Sequence, residues 1–230
     1  MTKLITATFC ISLFMASCEQ KKTTTEVTPS EPAQTTHKQV TITNSDEALA
    51  ELKAGNQRFL DGKLVNTNYK EQIEHTKSDQ HPHSLILSCL DSRIPPEILF
   101  DQGIGNIFVA RNAGNLEDLN VLGSMEFATK VKGTKLIVVM GHNYCGAVKG
   151  AIDDAELGNL TQLVEQIKPA ISKNENKELI HDETAKNSVK MTMAHILERS
   201  PVISELVKEN KLKIVGAYYD LTTGKVAFID

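Results

Sequence analysis

Residues 84–93 read SLILSCLDSR: an apolar run ends at a cysteine, and an aspartate and an arginine follow at alternate positions. The run SLILS (84–88) opens a series that continues with NIFVA (106–110), KLIVVMG (135–141) and LKIVGAYYD (212–220). Short β-branched runs without polar alternation predict strands covered on both faces. A fifth, KVAFI (225–229), follows TTG and reads as a hairpin partner of the fourth. Helical stretches, notably 119–131, 144–156 and 182–198, separate the first four. The predicted fold is α/β: a central, mostly parallel β-sheet of four strands plus an antiparallel edge strand, flanked by helices. Ahead of it, NSDEALAELKAGNQRFLDGK (44–63) predicts an N-terminal helical arm. Asn44 or Ser45 can cap it, Asp46 and Glu47 suit its first turn, and Ala48, Leu49, Leu52 and Phe59 recur at helical spacing.

The chain has 230 residues, 40% hydrophobic and 23% charged, with net charge −4, which fits one or two globular domains. No internal repeat is present, and one domain over 45–230 is the economical reading. Mild acidity and the lack of a long Lys/Arg run exclude nucleic acid as the main partner. The first 18 residues stand apart. Lys3 precedes an apolar run, LITATFCISLFMAS (4–17), too short for a comfortable membrane span, and the run ends at FMASC. This resembles a bacterial lipoprotein signal, in which Cys18 becomes the lipidated N-terminus. The alternative is an ordinary secretory signal cleaved near Ala16 or Ser17. Residues 19–43, rich in Thr, Lys, Glu and Pro, read as a flexible tether. The expected location is the bacterial cell envelope, periplasmic side or cell surface, with membrane attachment through Cys18.

Cys10 and Cys18 belong to the targeting segment, which leaves Cys89 and Cys145 as the thiols of the folded body. In sheets of this type ligands gather beyond the carboxyl ends of the strands. Cys89 sits at such an end, and extended geometry turns Cys89, Asp91 and Arg93 to one side. Pro95 and Pro96 suit a turn or the first turn of a helix. The third strand delivers MGHNYCGAV (140–148), where a strand-to-helix turn lets His142 and Cys145 converge. Amides at the start of that helix would favour a thiolate at Cys145. Two thiolates and an imidazole suit tetrahedral Zn²⁺. With no third body cysteine, one position stays open for water or Asp91, which is the pattern of a catalytic rather than a structural site. A Cys89–Cys145 disulfide is the rival reading for an exported chain, and the residues alone leave both open.

CLDSR followed by GHNYCGAV resembles the signature of the β-class carbonic anhydrases, C-x-D-x-R then H-x-x-C-G. LKAGNQRF (52–59), FVARNAGN (108–115) and SMEFA (124–128) match further family features in order, so the likeness covers residues 45–230. The resemblance implies a zinc enzyme that reversibly hydrates CO₂ to bicarbonate and a proton through zinc-bound hydroxide. Cys89, His142 and Cys145 would hold the metal. Arg93 would hold Asp91 off it, so that Asp91 can accept a hydrogen bond from the bound water. In some members the equivalent aspartate swings onto the metal as a fourth ligand and closes the site. Gln80, in QHPHS, matches a glutamine that donates to substrate, and Phe108 and Gly146 match an apolar wall and a close-approach glycine. Ala113 stands where plant-type members often carry valine, and Phe127 where they carry tyrosine.

In the family the equivalents of Gln80 and Phe127 come from a neighbouring subunit, which implies a homodimer or a higher even-numbered oligomer. Some members regulate themselves at a bicarbonate site that includes a tryptophan, and this chain has none. His37, His75, His81, His83, His181 and His195 receive no assigned role. Two other functions share the site: hydrolysis of CS₂ or COS, and non-catalytic binding of zinc or bicarbonate in the envelope. The intact Asp91–Arg93 pair argues against the second, because storing zinc does not need it.

Overall fold

The computed structural model describes residues 41–174 and 176–229. The expectations for residues 1–18 and for the tether up to residue 40, Cys18 included, lie outside the described residues. Five strands form one sheet: β1 Ser84–Cys89, β2 Ile107–Asn112, β3 Leu136–His142, β4 Lys213–Tyr219 and β5 Val226–Ile229. Their order is β2-β1-β3-β4-β5, with the first four parallel and β5 antiparallel to β4. The predicted sheet is the observed one.

Every residue of β1 and β3 is buried, as their unbroken apolar runs require. Helices α1 (Ser45–Leu60), α3 (Pro96–Leu99), α5 (Gly146–Ile152) and α6 (Gly158–Ile167) contribute to one core cluster, where Leu52, Leu99, Val148 and Ile167 meet Ile86, Val138 and Met140. Helices α4 (Leu119–Glu126), α7 (Lys177–Arg199) and α8 (Pro201–Lys208) cover the other face, where Met125, Val189 and Ile203 meet Leu87, Ile137 and Val139. Burying each such side chain fully is worth roughly 1.5–3 kcal/mol. The remaining helix, α2, spans Tyr69–Thr76.

The arm forms as its sequence predicts. Asn44 caps α1 by accepting from Asp46 N at 3.1 Å and Glu47 N at 3.0 Å, and Glu47 reaches back to Thr43 N at 2.7 Å. A Cβ at Gly55 would lie 1.8 Å from the Phe100 carbonyl oxygen, so only glycine lets α1 press this closely onto the chain after α3.

Two helical stretches differ from expectation. The stretch 119–131 is α4 followed by a single π turn, Phe127–Val131. There the Thr129 hydroxyl donates to the Met125 carbonyl at 2.8 Å and so competes for the acceptor that an α-helical ladder would use. The stretch 144–156 shrinks to α5, because Cys145 is an extended N-cap and Asp154 turns left-handed at φ 56°.

Candidate metal centre

Cys89 ends β1 and His142 ends β3, the strand beside it, so the parallel pairing brings both to the same edge of the sheet. Cys145 follows on the turn into α5, where Tyr144 adopts φ 53°. Asn143 fastens this turn: its side chain donates to Asp220 Oδ1 at 3.0 Å and accepts from Leu221 N at 2.8 Å. The Cys89, His142 and Cys145 donor atoms all lie within 4.8 Å of one another. Among the described residues no other group of three His, Cys, Asp or Glu comes so close.

Two observations show that this set fits a zinc ion. The two sulfurs are 4.0 Å apart; a tetrahedron with Zn–S bonds of about 2.3 Å has an edge of about 3.8 Å. His142 Nδ1 bonds to the Asn143 carbonyl at 2.7 Å, while Nε2 is buried and has no partner. That arrangement fixes one ring nitrogen and leaves the other for a metal. The rival disulfide is excluded in this conformation: both cysteines are free, at twice the bond length of about 2.05 Å.

The thiols are electrostatically unequal. The Cys89 thiol is held down first by its hydrogen bond with Cys145 and then, against the cost of burial, by the Gly114 amide. The Cys89 thiolate in turn pushes Cys145 up, reinforced by burial, although the amides of Ala147 and Val148 at the start of α5 pull the other way. The helix-start amides thus favour a thiolate at Cys145 as expected, and the shared hydrogen bond, in which either sulfur can donate, lets the pair ionise one thiol at a time. Two buried sulfurs that resist a second ionisation are a place where a dication is strongly favoured.

Asp91 belongs to this edge but not to the ligand group. Arg93 grips it as a fork, Nε to Oδ1 at 2.9 Å and Nη2 to Oδ2 at 2.7 Å, with the Arg93 backbone N–H on Oδ1 at 3.0 Å. These bonds, Arg93's side chain first, hold the Asp91 carboxyl at about 2. A residue that the sequence reading passed over supports the loop from below. Arg111 of β2 donates Nε–H to the Cys89 carbonyl at 3.0 Å and Nη2–H to the Asp91 carbonyl at 2.5 Å. Its register partner on β1 is Ser88, a pairing that the sequence alone does not record.

The remaining expected residues divide. Ala113 packs against the core cluster that contains Cys89 and Cys145, and Gly146 adjoins Cys145. Gln80 is exposed on the loop ahead of β1, beyond the strand end opposite Cys89. Phe108 pairs with Leu85, four residues before the level of Cys89, or about 13 Å along the strand. It meets Phe127 edge-on at 6.4 Å in an open groove with Leu119 and Gly123. Gln80, Phe108 and Phe127 are thus not brought to this chain's own cluster.

A family model described as carbonic anhydrase matches residues 84–226. The chain is 38% identical over 197 residues to carbonic anhydrase 2 of Mycobacterium tuberculosis, covering 82% of this chain and 94% of that protein. It is 39% identical over 184 residues to a carbonic anhydrase of Mycolicibacterium smegmatis, covering 76% and 88%. Among solved structures, the β-carbonic anhydrase CafA of Aspergillus fumigatus superposes with a TM-score of 0.65 at 25% identity, covering 80% of this chain and 90% of that one. A cysteine–histidine–cysteine cluster at the carboxyl edge of a parallel sheet and these similarities agree, and the chain belongs to the β-class carbonic anhydrases.

Proposed function

We propose that this chain reversibly hydrates CO₂ to bicarbonate and a proton at a zinc ion held by Cys89, His142 and Cys145, with Asp91 kept off the metal. The observation that carries this reading is the Asp91–Arg93 fork beside a three-donor cluster. Zinc in such a site lowers the pKa of a bound water, to about 7 in the well-studied carbonic anhydrases, and so supplies the nucleophile for CO₂.

The chain's own groups do the rest. Arg93 keeps Asp91 ionised and aimed; Oδ1 already accepts two bonds from Arg93, and Oδ2, which accepts one, retains a lone pair with which to accept and orient a proton of the nucleophile. The Asn143 carbonyl holds His142 by Nδ1 and so fixes its tautomer. Arg111 holds the loop that carries both Cys89 and Asp91.

Gln80, Phe108 and Phe127 serve the site of a partner copy in a homodimer or a higher even-numbered oligomer. Their distance from the cluster of their own chain supports this, as does the outer edge of β2, which pairs with no further strand among the described residues. The N-terminal segment is a lipoprotein signal with Cys18 as lipid anchor and 19–43 as tether, its last residues Ile42 and Thr43 already fastened to the core and to α1, which holds the enzyme in the bacterial envelope. FMASC in a chain with few cysteines supports that reading, and mass spectrometry of the membrane-extracted N-terminus tests it.

Metal analysis paired with stopped-flow CO₂ hydration tests the function. Wild type should bind one zinc per chain and hydrate CO₂ between pH 7 and 9, and Cys145→Ser should lose both properties. Zinc-replete wild type without hydration at any pH in that range refutes the assignment.

A further inference from the structure

The loop between β2 and α4, residues 113–118, is held more firmly than a surface connection needs. Asn112 closes its first part into a ring, accepting from Leu116 N at 2.8 Å and donating to Leu116 O at 2.6 Å. Inside that ring Gly114 and Asn115 take consecutive left-handed conformations, φ 79° and φ 50°. Such conformations persist where the surroundings over-determine them. The ring aims one group at the metal centre: the Gly114 N–H donates to Cys89 Sγ at 3.5 Å.

The second fastening is a buried charge. Glu117 is 4% exposed, and its Oε1 lies 3.0 Å from Arg199 Nη1 and 3.0 Å from His195 Nδ1. Arg199 also donates to the Glu117 carbonyl at 2.7 Å. Both partners stand on the last two turns of α7, so a long core helix grips the loop three residues from the Gly114 amide. Burying a carboxylate is expensive unless it is paired, and a solvated loop would serve a mere connection.

We propose that Glu117, through Arg199 and His195, is a positioning residue that keeps the Gly114 amide on the Cys89 sulfur. An amide hydrogen bond withdraws charge from a coordinating thiolate, and groups of this kind set metal affinity and ligand strength. The inference rests on Cys89 being a metal ligand.

The test compares full-length wild type with Glu117→Gln, Arg199→Ala and Arg199→Lys, loaded with zinc or cobalt. Glu117→Gln removes the buried charge and leaves Arg199, whose side chain is 44% exposed, to solvent, so it stays folded even where Arg199→Ala, which strands the carboxylate, does not. The account predicts that Glu117→Gln and Arg199→Ala release zinc to a chelator about tenfold faster, within the range for outer-shell changes. It also predicts a shifted sulfur-to-cobalt charge-transfer band, with Arg199→Lys moving both readouts back toward wild type. Variants that lose thermal stability while zinc release and the cobalt band stay at wild-type values overturn it, because the clamp is then only a staple. A wild-type protein that binds cobalt without any sulfur charge-transfer band overturns the ligand assignment itself, and the inference falls with it.

Discussion

Replacing Gly114 by alanine perturbs the fold and the metal centre at one atom, and its cost can be worked out from the structure. At φ 79° the residue is left-handed, which costs an L-residue roughly 1–2 kcal/mol. The added Cβ would lie 2.8 Å from Ile167 Cδ1 and 3.3 Å from Ala147 Cβ. Ile167 is fully buried and has little room to retreat, and Ala147 stands in the first turn of α5, two residues after Cys145. Overpacking of this kind typically costs about 1–3 kcal/mol. Together the effects amount to about 2–5 kcal/mol. Urea unfolding of Gly114→Ala beside wild type, each with and without zinc, measures it. The loss should appear in the zinc-free protein and be larger with zinc, because the displaced amide also weakens the hold on Cys89. A loss under about 1 kcal/mol in both states would refute the strain and packing argument together.

Arg93→Gln removes the fork on Asp91 while leaving all three metal donors, so zinc content should stay at one per chain while CO₂ hydration falls by about 10–100-fold; unchanged turnover contradicts the role given to the fork. Burial holds the His83 imidazole below its ordinary 6.5, against a hydrogen bond to Gln102, so the unfolded chain takes up the proton first. The His83 contribution is complete above pH 6.5 and is lost as pH falls below it, at up to about 1.4 kcal/mol per pH unit. Urea midpoints between pH 7.5 and 5.5 should slope less in His83→Gln than in wild type, and equal slopes contradict this. Asn143→Ala leaves the Leu221 amide without its acceptor and takes one of several donors from Asp220, at a cost of about 1–3 kcal/mol, and should also loosen zinc; a variant with wild-type unfolding and zinc release shows that the turn holds itself.

The sheet was legible because β1, β3 and β4 are apolar runs long enough to be unmistakable, and the TTG before Lys225 marked the hairpin. The metal donors were legible for the same reason, since Cys89 and His142 fall at strand ends that parallel pairing must align. Tertiary pairing was not legible. Arg111 and Glu117 look like ordinary surface charges until β2 is set beside β1 and α7 beside the loop that follows β2. His83 received no role from the sequence, and only the fold places it against Ser84 and Gln102. Helix α8 carried its own signals, Ser200 as cap and Pro201 at the first position, but its eight residues are too few for a periodic pattern to stand out. The π turn at Phe127–Val131 depends on a single hydroxyl, that of Thr129, and no periodicity records it.

The most direct test of the central claim is a crystal structure of the zinc-loaded protein at pH 7.5. The account predicts one zinc bound by Cys89, His142 and Cys145, Asp91 still forked to Arg93, and a solvent atom at the fourth position. An Asp91 oxygen on the metal, with Arg93 released, would contradict it.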